Sequence, residues 1–569
     1  MLIAFSHQNG KRERVRRPAL WLVLMMLLAY AYTIPRGGLA NADSHIALTR
    51  AIVDDHTLRI DPYAAGLADR SAYKGHFYTD KAPGLSLLAV PAYALLRLLL
   101  PRAFFAPDLF FVARYLLTAL VVGLPAALFV GLLFVFLTPL IGRSRAALLA
   151  CGYGLGTMAW ALSALLFSHI VAAMATFGAF MLLYQVSAGR RSPAPWRWAL
   201  AGGLCGLAVL CEYPAALVAA GVAVFAAHAA YRARAATGSA APSASTGGAA
   251  PSVSTGSAGI LPAPVGGEWV GASEYSDRAR GLAARQPGLM NYRPAICPLG
   301  PLTRIALFVA AALALLMPLA AYNVAIYGSP FSQGYAHLHG AREFVAGMGH
   351  GVEGLGAPSL GALWGITFSP YRGLFVLSPF LLLAFPGLVA MWRRRADRPA
   401  ALLCAYAAGA LLLFNGGYYF WDGGVSLGPR HFAPALPFLL FPVAFALRRA
   451  RWYRAGRALI ILSIGIVALC CVTVVIFLPG VPDPILTLAL PRLLHGPTPN
   501  NWGLLLGLRG PASLLPLAVC EGVLTATLWR ALRSTKRRYA DDHANSVATG
   551  SKKPGMTGSP TRSSSAVSK

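Results

Sequence analysis

An all-α, polytopic bundle of transmembrane helices, with about 12 spans and an interfacial helix in its first outer loop, is the fold class this sequence predicts. Three observations predict it. The 569 residues are 57% hydrophobic and 12% charged, with mean hydropathy +0.58, where a soluble domain would carry roughly a quarter charged residues. Apolar runs of about 16 to 30 residues recur from end to end, each a candidate for a spanning helix. Basic side chains gather in the short connectors between these runs, where the positive-inside rule puts cytoplasmic charge.

The net charge of +29 therefore implies no nucleic-acid partner, since the arginines line no continuous groove. Membrane lipids are the expected surroundings. The eight cysteines lie almost all inside apolar runs, without CxxC or metal-ligand spacing, and read as small core residues. Neither GxGxxG after a strand nor GxxxxGK[ST] occurs, so nothing cradles a nucleotide.

Spans are placed at 18–34, 109–140, 146–166, 170–187, 196–211, 214–231, 305–322, 373–391, 400–416, 432–447, 458–478 and 513–530. The first resembles a signal peptide, with Ala40-Asn41-Ala42 as a cleavage site, but its apolar region is long and suits an uncleaved anchor. The run at 84–100 is excluded by parity. With the basic N-terminus in the cytoplasm, counting it as a span would put the clusters at Arg143/Arg145, Arg190/Arg191, Arg393–Arg395, Arg448/Arg449 and Lys536–Arg538 all outside. Pro91 in its middle and Arg97 near its end suit an interfacial or re-entrant helix. The chain thus divides into a basic N-terminus (1–17), a bundle (18–234) with a first outer loop (35–105), a linker (235–302), a second bundle (303–532) and a basic tail (533–569). Ala/Ser/Gly/Pro composition makes the linker and tail flexible.

In this topology the polar residues collect at the outer face. The first loop carries Asp43, His45, Asp54, Asp55, Asp61, Asp80 and Lys81. Further outer turns hold Ser168-His169 and Glu212-Tyr213-Pro214, and longer outer loops cover 323–372 and "GGYYFWDGGVSLGPRHFAP". Ionisable groups beside a bilayer are expensive and usually mark a site. Carboxylates, cations and aromatic rings on one face suit a sugar attached to a phosphate. The acid takes a proton, the cations hold phosphate and the rings stack on sugar.

At these residues the chain resembles the GT-C glycosyltransferases, polytopic enzymes that use polyprenyl-phosphate sugars. The likeness is to the protein O-mannosyltransferase and aminoarabinose-transferase branch. An early acid is followed by "GHFYTDKAPGLSLLAVPAY", and "YGSPFSQGY", "FSPYRGLFVLSP" and "WDGGVSLGPRHFAPALPFL" follow in order over about residues 18–450. Asp43 matches the first acid of that branch, Ser44 replaces the second, and Lys81-Ala82-Pro83 matches its Lys-Pro-Pro site with one proline lost.

The resemblance implies transfer of a sugar from a polyprenyl-phosphate donor, acting as co-substrate, to a lipid or cell-surface glycan acceptor. Transfer would be on the non-cytoplasmic face, with inversion, in a bacterial inner membrane. It gives Asp43 the general-base role. Lys81, Arg430 and Arg372 are candidates for the donor phosphate, and Tyr78, Asp80, His169, Glu212, Tyr418, Trp421 and Asp422 for sugar or acceptor. Blander roles stand beside these. Asp43 could cap a helix, Lys81 could snorkel to headgroups, and Asp422 could shape a turn with Gly423 and Gly424. His169 could cap a turn or help bind a divalent cation, and the loss of the second acid leaves metal dependence open. Two other functions compete. A transporter or flippase of lipid-linked saccharides should show an internal repeat and polar groups at mid-membrane. An O-antigen ligase or polymerase would need a long late outer loop, and the loop at 479–512 is nearly uncharged.

Overall fold

The computed structural model describes residues 9–35, 38–238 and 299–550. The linker expected at 235–302 falls almost wholly outside them, as do residues 551–569. The protein is an all-α integral membrane protein. Among the described residues, seven helices are long and apolar enough to cross a membrane: Phe110–Ile141, Ser168–Ser187, Ala215–Arg234, Pro301–Tyr327, Arg395–Gly417, Ala450–Thr473 and Gly510–Arg533. They coincide with seven of the twelve expected spans.

Of the other five, 18–34 lies mostly in the unbroken helix Asn9–Ala31, and the rest are shorter or broken. The segment 146–166 does not run through: helix Arg143–Leu155 ends at Gly156, and a separate turn, Ala159–Ser163, follows. Three glycines in "CGYGLG" weaken the helix there. Segment 373–391 breaks before Pro379, whose missing N–H cannot continue the helix Leu374–Leu377. The final helix, in contrast, continues from Leu515 to Gly550, so the basic tail begins as helix.

Helix Ser168–Ser187 is the centre of the bundle. It is apolar on all sides, and a helix of that kind must be buried. Its Phe177 and Phe180 meet Phe438 and Phe441 of the helix ending at Ala446, with ring centroids 5.1 Å apart for Phe177–Phe438 and Phe180–Phe441. These edge-to-face contacts add to the area that the rings bury.

Helices on either side of the linker also pack directly. Gly202 and Gly206, one turn apart on Pro195–Cys211, lie against the carbonyl oxygens of Phe308 and Ala312 on Pro301–Tyr327. A Cβ at either glycine would strike backbone, which is how small residues let membrane helices approach closely. Gly202→Ala is expected to cost about 1–3 kcal/mol by overpacking. Gly203→Ala, whose Cβ would meet only the Leu315 side chain at 3.7 Å, should leave the melting temperature of the detergent-solubilised protein near wild type.

The first loop, expected to lie outside, is built chiefly from two helices and a hairpin. Helix Ala40–Asp54 packs on helix Gly84–Leu99, tied by Arg97 to Asp54 at 2.8 Å and His45 to Ser86 at 3.1 Å. At 1.5 Å per residue the 16-residue helix Gly84–Leu99 is about 24 Å long, short of a hydrocarbon core of about 30 Å. Strands β1 (Ser71–Tyr73) and β2 (His76–Tyr78) pair antiparallel across Lys74-Gly75. Both turn residues have positive φ, 48° and 82°, as a tight two-residue hairpin turn needs. The hairpin, which the sequence reading did not anticipate, delivers Thr79-Asp80-Lys81 to the centre of the loop.

Candidate active site

Five polar segments far apart in sequence line one cavity of about 380 Å³, within the range of small-molecule sites, roughly 300–1,000 Å³. The first loop supplies Asn41, Asp69 and Lys81; the inter-helix turns supply Ser168, His169, Glu212 and Tyr213. Loop 328–359 adds Tyr335, Glu343 and Phe344, and the late loop adds Tyr418, Tyr419, Phe420, Arg430 and His431.

Helical geometry decides which first-loop residues reach it. Residues two apart on a helix point about 200° apart, whereas those three or four apart share a face. Asn41 reaches the wall and Ser44 turns the same way, bonding Thr79 at 2.6 Å and Asp80 at 3.4 Å. Asp43 lies off that face. It is not on the cavity wall, and Arg114 Nη1 donates to its Oδ1 at 3.2 Å. Nor does Asp43 cap the helix, because Leu39 holds the cap position and Asp43 sits inside the first turn. Burial pushes its carboxyl up, and the Arg114 charge opposes this.

Lys81 is held between two carboxylates, 2.9 Å from Asp80 Oδ2 and 3.0 Å from Asp69 Oδ2. Burial alone would lower its amine, but the two facing acids hold it well above the ordinary lysine value. Asp80 is fully buried behind it, its carboxyl pushed up by burial. Asp69 lies on the wall, and its second oxygen, Oδ1, accepts from no group that the structure shows. Arg430 is different. Among the described residues no carboxylate pairs with it and its Nε has no partner, and its guanidinium lies 5.3 Å over the Phe167 ring.

His169 and Glu212 also reach the wall. Ser168 Oγ donates to Glu212 Oε2 at 2.6 Å, and His169 Nε2 lies 3.4 Å from His431 Nδ1. Burial pushes the Glu212 carboxyl up, against the Ser168 bond and the charge of Arg430. Tyr418 packs on Tyr419 at 5.5 Å and on His431 at 5.5 Å, forming an aromatic side of the cavity with Phe344 and Phe420.

Five expected site residues stand off the wall besides Asp43: Asp80, behind Lys81, and four others. Arg372 is fully buried, and its guanidinium is taken up by the carbonyls of Asp422, Ser426 and Phe477 at 2.9–3.3 Å, which leaves it for architecture. Asp422 accepts from Tyr371 OH at 2.7 Å and Gly424 N at 2.9 Å, so it shapes the turn. Trp421 packs on Gly365 and on Tyr371. Tyr78 is buried against Tyr327. The wall also holds residues the sequence reading did not select, chiefly Asp69, Asn41, Tyr335, Glu343 and His431. The adjacency of His431 to Arg430 in "GPRHF" was the available signal for one of them.

No protein-family model matches the chain, and no curated protein does. Among solved structures it is similar to the archaeal oligosaccharyltransferase AglB from Archaeoglobus fulgidus in complex with an inhibitory peptide and a dolichol-phosphate. That alignment has 12% identity and TM-score 0.39, covering 81% of this chain and 56% of that one. The apo form of the Archaeoglobus fulgidus oligosaccharyltransferase aligns at 12% identity and TM-score 0.37, over 79% and 54%. The chain spans a little over half the length of those structures.

Proposed function

We propose that this protein is an integral-membrane glycosyltransferase. It would move a sugar from a polyprenyl-phosphate donor to a lipid or surface-glycan acceptor at the non-cytoplasmic face of a bacterial inner membrane, with inversion. The observation that carries this reading is a cavity in which an arginine with no carboxylate partner among the described residues, several carboxylates and a bank of aromatic rings face one another. In it, Asp69 takes the proton of the acceptor hydroxyl. The acceptor oxygen bonds to the anomeric carbon as the bond from that carbon to the phosphate oxygen breaks, and the electron pair leaves with the phosphate.

Arg430 neutralises the leaving phosphate, its planar fork suited to two oxygens. Lys81, already facing Asp69 and Asp80, positions Asp69 and contributes less to the phosphate. Tyr418 contacts the sugar. Asp43 acts at a distance, anchoring the loop to Arg114. A flippase is the weaker reading, because the polar groups gather where helices begin and end: Glu212 at the end of Pro195–Cys211, and Ser168 and His169 at the start of Ser168–Ser187.

Purified protein supplied with radiolabelled polyprenyl-phosphate sugars and a membrane-lipid acceptor extract is expected to yield labelled product. Arg430→Gln should lower kcat/KM about 10- to 100-fold, the worth of a charged hydrogen bond of roughly 1.5–3 kcal/mol. A wild-type protein that transfers label from none of these donors overturns the transferase reading. An Arg430→Gln variant as fast as wild type removes Arg430 from it.

A further inference from the structure

We propose that His169, Glu212 and His431 bind one divalent transition-metal ion of the zinc type. The three come from separate elements: the first turn of helix Ser168–Ser187, the residue that ends helix Pro195–Cys211, and the short turn that opens at Arg430. They are 43 and 219 positions apart in sequence, yet one ligand atom from each lies within 4.8 Å of the other two. His169 lies between the other two: its Nδ1 stands 3.7 Å from Glu212 Oε2, and its other nitrogen, Nε2, is 3.4 Å from His431 Nδ1. Donors around a tetrahedral zinc at 2.0–2.1 Å are separated by about 3.3 Å; one ion takes a single nitrogen of each ring, so the imidazoles must turn to draw a set spread over up to 4.8 Å together.

A second observation points to a ligand. His169 is 1% exposed, and its Nδ1 has no hydrogen-bond partner; the buried Nε2 of His431 has none either. A buried polar atom left without a partner costs about 1–3 kcal/mol, and a cation held between His169 Nδ1 and Glu212 removes that cost at His169. The carboxylate is already aimed, since Ser168 Oγ holds Glu212 Oε2 at 2.6 Å. Such an outer contact orients a metal ligand and raises affinity.

The donor types choose the metal. Two imidazoles and one carboxylate suit zinc and its neighbours in the first transition row. Magnesium and calcium prefer all-oxygen shells. Three protein ligands leave a fourth position, which opens on the cavity that all three residues line. Arg430 faces the same space and opposes a dication; Glu212 and Asp69, also on the wall, offset it. None of the ligands belongs to the first outer loop, and the inference does not depend on the transfer reaction.

The test uses the full chain, purified in detergent with an affinity tag that lacks histidine, stripped with a chelator and loaded with Co²⁺ or Zn²⁺. After desalting, about one ion per chain is expected, and the Co²⁺ form should show the intense visible bands of a four-coordinate site. Excess Mg²⁺ should not displace it. Glu212→Gln and His431→Ala should each lower the retained metal roughly tenfold or more. His337→Ala, at a histidine stacked on Tyr327 away from the cavity, should retain as much as wild type. A wild-type chain that keeps no stoichiometric ion, or whose Co²⁺ spectrum is that of the hexa-aqua ion, overturns the proposal. This readout decides even if a variant fails to fold. His431→Ala holding the wild-type amount overturns it equally.

Discussion

Asp69→Asn is expected to slow sugar transfer about 10²–10⁴-fold, the range for loss of a general base. Asp43→Asn in the same assay should stay within a few-fold of wild type. The contrast follows from where each carboxylate points. Asp69 is on the cavity wall with one oxygen on Lys81, whereas Asp43 faces Arg114 off the wall. The isosteric asparagine keeps the shape and a hydrogen-bonding oxygen for Lys81, which retains Asp80 at 2.9 Å, so folding should change little. The loss should therefore appear in kcat, with the donor KM nearly unchanged, because the proton moves only in the transition state. If Asp43→Asn is the slow variant and Asp69→Asn is not, the base lies on the other face of helix Ala40–Asp54, and the loop must rearrange when substrate binds.

That pair of residues also marks the limit of what the sequence discloses. Long apolar runs are legible because each must bury or face lipid along its whole length, and the seven helices of membrane-crossing length and hydropathy were recoverable from the sequence alone. Breaks such as Gly156 and Pro379 were harder to see, because tertiary packing decides whether glycine or proline interrupts a helix. The convergence of the outer turns could be read from topology, since Ser168-His169, Glu212 and the late loop had to share one face. Orientation could not. Asn41 and Asp43 differ by about 200° around one helix, and only the docking of that helix on Gly84–Leu99 fixes which of them looks inward. Asp69 sits in an ordinary polar stretch before a hairpin, and nothing local distinguishes it from Asp54, Asp55 or Asp61. The pairing of His169 with His431 spans 262 positions, a distance no spacing rule reaches.

Lys81→Met is expected to destabilise the protein by about 3–5 kcal/mol, the cost of leaving buried charge without its partner. Lys81 is 8% exposed and Asp80 is fully buried, with Asp69 the third member of the cluster. Methionine matches the lysine stem in length, so little of the loss would come from packing. What the substitution removes is the cation that makes ionisation of Asp80 tolerable, and burial already pushes that carboxyl up. Asp80 can limit the damage by taking a proton, since a buried acid neutralises when an unpaired charge would cost more. Asp80→Asn in the Lys81→Met background should accordingly recover part of the melting temperature. Asp80→Asn alone should cost less than Lys81→Met, because Lys81 keeps Asp69. The double-mutant cycle then gives a coupling between residues 80 and 81 of the sign expected for an ion pair. A Lys81→Met protein that melts like wild type would mean that the pair adds no net stability. The lysine would then be available to the donor phosphate, and the division of labour with Arg430 would have to be redrawn.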